Sequence, residues 1–600
     1  MSIPYLPHRF SPAELDAMRA RYRAERERRI RPDGAGQYRR AAGEFGYYAT
    51  DPYTERTERA PVHDRVEAVV IGGGFGGLVT GARLRQAGVQ ELRMIDEAGD
   101  FGGTWYWNRY PGLHCDVEAT VYMPLLEEVG YVPKWRYAPG EEIRRHAVAI
   151  AEHFSLYDDA LFHTRVTELR WDDDAAEWTV RTDRGDEFRS RYVVISSGTL
   201  TQPKLPGIPG IEDYRGHTFH TSRWDYGYTG GDQEGGLHKL ADKKVGVVGT
   251  GATAIQIVPH LARDAEHLYV FQRTPSSVDV RDNRPTDPAW AASLRPGWQQ
   301  ERMENFLTIV TGGHADEDLI DDGWTATARL QRKLLTGSLD TNLSDEEREY
   351  LDEVADFRKM DQIRARVDQI VEDPAVAELL KPWYRYMCKR PTFSDHYLQA
   401  FNRPDVTLVD TADTGGITRM TETGVVVGET EYEVDCVIFA TGFEVGISGV
   451  LSGTLPVHGR GGLPLLGHWR NGPRTLHGFY SHGFPNLFHL GSIQNAASVN
   501  FVHVLQEQAT HIGAVVAEAN KRGALRVEPT PEAEEAWAAT IRETAPDNFK
   551  FQSECTPGYY NGEGKPRPVS FSYGPGPVAF HELLRGWRTE GGMDEVLVTA

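Results

Sequence analysis

The sequence predicts an α/β fold built on two Rossmann-like dinucleotide-binding domains, and three observations carry that prediction. A β-branched apolar run from Val66 to Ile71 turns through Gly72-Gly73-Gly74-Phe75-Gly76-Gly77 into a helical stretch and returns as a strand at Leu92 to Ile95. The same order recurs from Val245 to Val248, through Gly249-Thr250-Gly251-Ala252-Thr253-Ala254 and a helix ending near Arg263, to Leu268 through Phe271. The chain of 600 residues also exceeds what one hydrophobic core organises, which sets an expectation of roughly two to four domains.

In chain order, Ser11 to Ile30 reads as a charged helix with Ser11 as N-cap, Pro12 at the first helical position and Pro32 to Gly34 as the stop. This N-terminal helical arm, within residues 1–60, is expected to lie solvated on the surface and is assigned no chemistry. The first nucleotide domain follows over 61–198 and the second over 199–440; residues 441–600 complete the first and form the C-terminal region. Between Asn283 and Pro382 the pattern becomes helical and strongly charged, which marks a helical insertion in the second domain, about 285–382. Inside it, Ser344-Asp345-Glu346-Glu347 forms a capping box and Asp373-Pro374 opens a shorter helix. Val425 to Val427 and Val437 to Phe439 read as strands, and the Gly- and Pro-rich stretch from Gly453 to Pro473 reads as loop.

Composition narrows the function. Apolar residues at 40% and charged residues at 25% fit a folded globular chain, and no run of eighteen apolar residues offers a membrane span. A formal net charge of -22 repels phosphate backbones and acidic lipid, which argues against nucleic acid or membrane as the main partner. The four cysteines, Cys115, Cys388, Cys436 and Cys555, are too far apart in sequence for a CxxC redox or zinc pair, so no metal is expected and a reducing compartment fits. The arginines from Arg19 to Arg31 alternate with Glu25 and Glu27, unlike a targeting peptide, and cytoplasmic residence follows as the expectation.

The glycine turns say what the two domains hold. A pyrophosphate approaches a helix N-terminus only where no side chain intervenes, and Gly72, Gly74 and Gly77 stand at GxGxxG spacing, with Asp96 placed to accept the ribose hydroxyls. The second turn presents Gly249, Thr250, Gly251 and Ala254, but its second strand ends in Arg273-Thr274 instead of an acid. A carboxylate there would repel a ribose 2′-phosphate, whereas a guanidinium binds it through paired charge-assisted hydrogen bonds, so this site suits NADPH. Two dinucleotides in one chain imply a relay in which the nicotinamide supplies hydride and a flavin, FAD, receives it. Disulfide reductases need a vicinal cysteine pair that this sequence lacks, which leaves molecular oxygen as the electron acceptor.

Beyond Asp96, the segment Gly103-Thr104-Trp105-Tyr106-Trp107-Asn108-Arg109-Tyr110-Pro111-Gly112-Leu113-His114-Cys115-Asp116 resembles the flavin-side fingerprint of type I Baeyer–Villiger monooxygenases. Tyr214 to Asp225, containing Gly216, His220 and Trp224, is similar to that family's FxGxxxHxxxW(P/D) signature, with Tyr214 in place of the usual Phe. Phe439-Ala440-Thr441-Gly442-Phe443 and the pair Lys389-Arg390 extend the match, which runs from about Val66 to the carboxyl end. The arm and Glu554 to Asn561 look most like the subgroup acting on large cyclic, polycyclic or terpenoid ketones, that of the cyclopentadecanone, polycyclic-ketone and pentalenolactone-pathway enzymes.

The resemblance implies oxidation of a ketone by O2 to an ester or lactone, through a flavin C4a-peroxide and a tetrahedral Criegee adduct. It implies Arg390 as the permanent cation that stabilises the anionic oxygen, with Asp116 holding that guanidinium beside the flavin. Gly103, Thr104, Trp105, Tyr110 and Tyr122 fall on the flavin side, while Lys389 joins Arg273 and Thr274 at the 2′-phosphate. Tyr559 stands near the position where the family often places a Trp against the nicotinamide nucleotide. Gly216, His220 and Trp224 would couple the domains, His220 as a hydrogen-bonded structural group supporting movement of NADP and not as an acid or base. The rival readings are an N- or S-oxygenating flavin monooxygenase, which has no need of Arg390, and a non-catalytic flavin-binding protein.

Overall fold

The computed structural model describes residues 10–336, 344–444, 454–566 and 571–599. The strand His63–Ile71 lies between Leu92–Ile95 and Glu187–Ile195 and is parallel to both. Its last four residues are all buried, as expected where a parallel sheet is covered on both faces. The antiparallel strands Val166–Asp172 and Glu177–Thr182 extend one side of the sheet, and Leu487–His489 pairs parallel with Glu187–Ile195. The helix Phe75–Gln86, which follows the first glycine turn, packs against Phe501–Arg522. Sequence-distant residues beyond 480 thus supply a strand and a long helix to the first nucleotide fold.

The second sheet has five parallel strands in the order Val406–Asp410, His267–Gln272, Lys244–Val248, Cys436–Phe439, His217–His220. Helix Ala252–Asp264 follows the second glycine turn and buries Ile255, Ile257, Val258 and Leu261. The insertion carries helices Trp298–Val310, Gly323–Thr336, Asp345–Ile370 and Pro374–Leu380. The capping box forms as read: Ser344 N–H donates to Glu347 Oε2 at 2.9 Å, and Glu347 N–H donates to Ser344 Oγ at 3.3 Å. Asp373 accepts from Ala375 N–H at 2.8 Å and caps the shorter helix.

Two sequence expectations are corrected, and one pairing is added that the sequence did not suggest. The helix Pro12–Glu27 has its Ser11 cap, but the arm is not merely a solvated surface helix. Leu15 and Tyr22 are buried against Val354 and Phe357, and Arg364 donates to Tyr22 Oη at 3.0 Å. Tyr38–Arg40 then pairs antiparallel with Lys204–Pro206, which brings the arm to the edge of the central cavity. Cys388 and Cys555, 167 residues apart, form a disulfide, a pairing invisible to a rule that looks only at near neighbours. Of the stretch read as loop, Gly453 lies outside the described residues; further along, Val457–His458 pairs with Val166–Asp172 and Leu465–His468 is a short helix. Among the described residues no helix is long and apolar enough to cross a membrane.

Several histidines that do not line the central cavity are buried and incompletely paired. Burial pushes His477 and His503 down to about 3 and His146 down to about 4, and both ring nitrogens of His503 lack a partner among the described residues. Unfolded, each imidazole binds its proton near pH 6.5, so as pH falls below that value the unfolded chain takes up protons that the folded chain refuses. Stability is therefore full above about pH 6.5 and is lost towards pH 4, at up to about 1.4 kcal/mol per histidine per pH unit. The thermal midpoint of the flavin-loaded protein should fall steadily from pH 7 to pH 5; a level midpoint would show that these rings are protonated in the fold.

Candidate active site

Both glycine turns are shaped by close backbone approach. Gly72 has φ +111°, and a Cβ there would lie 2.2 Å from the Ser196 carbonyl oxygen. A Cβ on Gly77 would meet the Gly72 carbonyl oxygen at 1.8 Å, so helix and strand pack this closely only with glycine at that position. Helices Phe75–Gln86 and Ala252–Asp264 begin at Gly74 and Gly251 without a side-chain cap, which leaves first-turn N–H groups available for an anion.

The two turns open on one cavity of about 2000 Å³. Gly72, Gly74, Asp96, Gly103, Thr104 and Trp105 line one part of it, and Gly249, Thr250, Gly251, Arg273, Thr274 and Lys389 another. Tyr110, Asp116, Tyr122, Arg390 and Tyr559 also face it. Gly77, Ala254, Gly216, His220 and Trp224 do not line it. Cradles free of side chains, two uncapped helix N-termini and one shared cavity fit a pair of dinucleotides.

On the first side, Asp96 accepts hydrogen bonds from Gly73 N–H and, at 2.7 Å, from Ala98 N–H, while burial raises its carboxyl. Trp105 Nε1–H donates to Tyr122 Oη at 3.1 Å, and Tyr110 Oη–H donates to Gln256 Oε1 at 3.0 Å, tying the two domains together.

At the centre, Arg390 grips Asp116 with both terminal nitrogens, Nη2 donating to Oδ1 at 2.5 Å and Nη1 to Oδ2. Nη1 also donates to the Pro391 carbonyl at 3.2 Å, and the remaining guanidinium donors have no protein partner among the described residues. Burial alone would weaken the guanidinium as a base, but the charge and hydrogen bonds of Asp116 outweigh it and raise its pKa, so the cation is permanent. Trp324 braces the pair: its Nε1–H donates to the Asp116 carbonyl at 2.8 Å and its ring lies 5.9 Å from the Arg390 guanidinium carbon.

On the second side, Arg273 reaches two partners from opposite ends of the chain, Gln37 Oε1 at 2.6 Å and Glu563 Oε2 at 2.8 Å. Tyr38 Oη–H donates to Glu563 Oε1 at 3.2 Å. Lys389 Nζ donates to the Thr274 carbonyl at 3.5 Å, and its amine is pushed down to about 7, by burial first and by Arg273 second.

His220 stands apart, fully buried. Its Nδ1 accepts from Ser222 N–H at 3.2 Å and its Nε2 is 3.0 Å from the Gly442 carbonyl. Burial, then Arg223, pushes it down to about 3, so at neutral pH it is uncharged and unsuited to proton transfer. Trp224 donates to Thr229 Oγ1 at 3.1 Å and is buried beside Phe219.

Sequence reasoning missed Gln37, Tyr38 and Glu563 at the second site, and also Arg281 near the central pair. Arg281 has a buried Nε without a hydrogen-bond partner among the described residues; burial lowers its pKa while Asp116 and Arg390 pull in opposite directions. Nothing in Val280-Arg281-Asp282 distinguishes that residue from a surface loop arginine. Gly562-Glu563-Gly564 did offer a signal, a carboxylate between two flexible hinges, but not the partner it meets.

Two parallel-sheet nucleotide folds facing one cavity around a fixed cation define a flavin- and pyridine-nucleotide-dependent oxidoreductase. In agreement, the family described as pyridine nucleotide-disulphide oxidoreductase matches residues 66–293, a span that contains neither cysteine of the disulfide. The chain is 61% identical over 591 residues to a Baeyer–Villiger monooxygenase of Streptomyces coelicolor, covering 98% of this chain and 97% of the relative. It is 52% identical over 582 residues to the neopentalenolactone D synthase of Streptomyces avermitilis, covering 96% and 98%. Among solved structures, the polycyclic ketone monooxygenase of Thermothelomyces thermophila is similar with a TM-score of 0.90 at 40% identity, covering 97% of this chain and 98% of that one. The chain belongs to the Baeyer–Villiger monooxygenase family and is an FAD- and NADPH-dependent monooxygenase.

The central pair also contributes to stability. Replacing Asp116 by Ala leaves a guanidinium two-thirds buried with its counter-charge gone. Discounted for the exposed third, the loss should be about 1–3 kcal/mol, read as a thermal midpoint several degrees lower for Asp116→Ala in flavin-loaded protein. An unchanged midpoint would mean that the pair positions Arg390 without stabilising the fold.

Proposed function

We propose that this chain inserts one oxygen atom from O2 beside the carbonyl of a bulky cyclic or polycyclic ketone, giving an ester or lactone at the expense of NADPH. The observation that carries this reading is Arg390, held by Asp116 on the wall of a cavity that both glycine turns share. The names of a neopentalenolactone D synthase and a polycyclic ketone monooxygenase among its relatives support the substrate class. Dependence on NADPH points to the cytoplasm, and the Cys388–Cys555 bridge is compatible with that because its residues, at 3% and 2% exposure, are shielded from thiol reductants.

When bound, the flavin supplies activation of dioxygen and the nicotinamide supplies the reducing equivalents. The chain's own contribution is binding, orientation and charge. The turn at Gly72, Gly74 and Gly77 and its counterpart at Gly249, Thr250, Gly251 and Ala254 receive the pyrophosphates on helix N-termini, and Asp96 takes the ribose. Gly103, Thr104, Trp105, Tyr110 and Tyr122 form the flavin-side wall. Arg273, Thr274 and Lys389 take the 2′-phosphate; a phosphate dianion there draws the proton back onto Lys389. Tyr559, exposed on the rim, meets the nicotinamide end. Gly216, His220 and Trp224 keep the two domains in register, His220 through its bond to Gly442.

Arg390 donates N–H groups to the negative charge that develops on oxygen as the carbonyl carbon becomes tetrahedral. A donor fixed beforehand costs no reorganisation at that moment, and such donors typically contribute roughly 3–4 kcal/mol. Asp116 limits the swing of the guanidinium, so its free donors stay aimed into the cavity.

The test is NADPH-dependent turnover of cyclic, polycyclic and linear ketones by the purified protein, with mass spectrometry for the gain of one oxygen. Amine N-oxides or sulfoxides without any ester would replace this reading with the nitrogen- and sulfur-oxygenating one. Arg390→Ala should retain FAD and lower kcat for lactone formation by roughly 10²–10³-fold.

A further inference from the structure

The residue assigned to the 2′-phosphate already holds an anion of the protein's own. Arg273 closes the second nucleotide fold at the strand end where this architecture places the adenosine ribose. Its Nη2 donates to Glu563 Oε2 at 2.8 Å, and Tyr38 donates to the other carboxylate oxygen at 3.2 Å. Only 5% of the Glu563 side chain is exposed, against 22% of Arg273, so the carboxylate is committed to this contact and is not a passing surface charge.

The backbone beneath Glu563 supports a special role. Glu563 has φ +59°, in the left-handed region that a non-glycine residue occupies at a cost of about 1 kcal/mol or more. Gly562 and Gly564 on either side also have positive φ. Asn561 anchors the turn: its Oδ1 accepts from the N–H groups of Gly558 and Gly564, and its Nδ2 donates to the Cys555 and Thr556 carbonyls. A strained carboxylate is thus delivered between two pliable hinges onto the one guanidinium that a phosphate would need.

Building on the assignment of Arg273 to the 2′-phosphate, we propose that Glu563 is a built-in competitor for that phosphate and a determinant of cofactor specificity. A carboxylate and a phosphate dianion on the same guanidinium repel each other, so one excludes the other. NADP displaces Glu563 because its phosphate carries the greater charge and more acceptor oxygens, and release relieves the strained turn. NAD, with no 2′-phosphate, leaves Glu563 seated on Arg273. The closed contact therefore lowers affinity for NADP and keeps Arg273 paired while the site holds no phosphate.

The proposal is tested by equilibrium titration of the FAD-loaded, full-length protein with NADP+ and with NAD+, for the parent and for Glu563→Gln, Glu563→Gly and Arg273→Ala. Removing the competitor should tighten NADP+ binding roughly tenfold or more, the scale of a close charge pair, in both Glu563 variants and leave NAD+ no tighter. Glu563→Gly also removes the left-handed strain, so agreement of the two variants separates charge from backbone effects. Unchanged or weaker NADP+ binding in both, with the preference for NADP+ lost in Arg273→Ala, would overturn the competitor and leave the phosphate site intact. A preference untouched in Arg273→Ala would overturn the assignment of the site, and the competitor with it.

Discussion

Everything near the cavity is organised around one ion pair, Arg390 with Asp116, made between residues 274 positions apart. The carboxylate is fixed by the segment that follows the first nucleotide fold, and the guanidinium by the chain that leaves the helical insertion and pairs at Thr392–Phe393 with Val278–Asp279 in a small separate sheet. Each half is costlier to hold in the cavity wall without the other, since an unpaired, partly buried ion is destabilising. Domain arrangement and cation placement are therefore one constraint: the pair exists only when the two nucleotide folds are docked as observed.

The nucleotide folds were legible because their signals are local. A β-branched run, glycines at fixed spacing and a second strand lie within about thirty residues of each other, and the structure returns them nearly residue for residue, as Leu92–Ile95 and Lys244–Val248. Caps were equally readable, since Ser11, Ser344 and Asp373 each act within three residues. Arg390, Asp116 and Lys389 came from resemblance and not from spacing, because nothing near Cys388-Lys389-Arg390 in sequence says what faces it.

Long-range pairings escaped for the complementary reason. Cys388 and Cys555 meet across 167 residues, Gln37 and Arg273 across 236, and Arg273 and Glu563 across 290. The arm illustrates the point: its charged helix carries a solvated pattern, and only Leu15 and Tyr22 betray a buried face. Its contribution lies further on, where Arg29 donates to the Arg273 carbonyl at 2.7 Å and Gln37 and Tyr38 complete the surroundings of that guanidinium. A single sequence encodes such contacts in its tertiary fold, not in any window.

The bridge between Cys388 and Cys555 has a mechanical meaning. Cys388 immediately precedes Lys389-Arg390, and Cys555 leads into the turn that carries Tyr559 and Glu563. A covalent strut thus yokes the stem of the central cation to the clasp at the adenosine end of the second nucleotide site. The two ends of the berth, Arg390 at one and Glu563 at the other, therefore share a single covalent anchor.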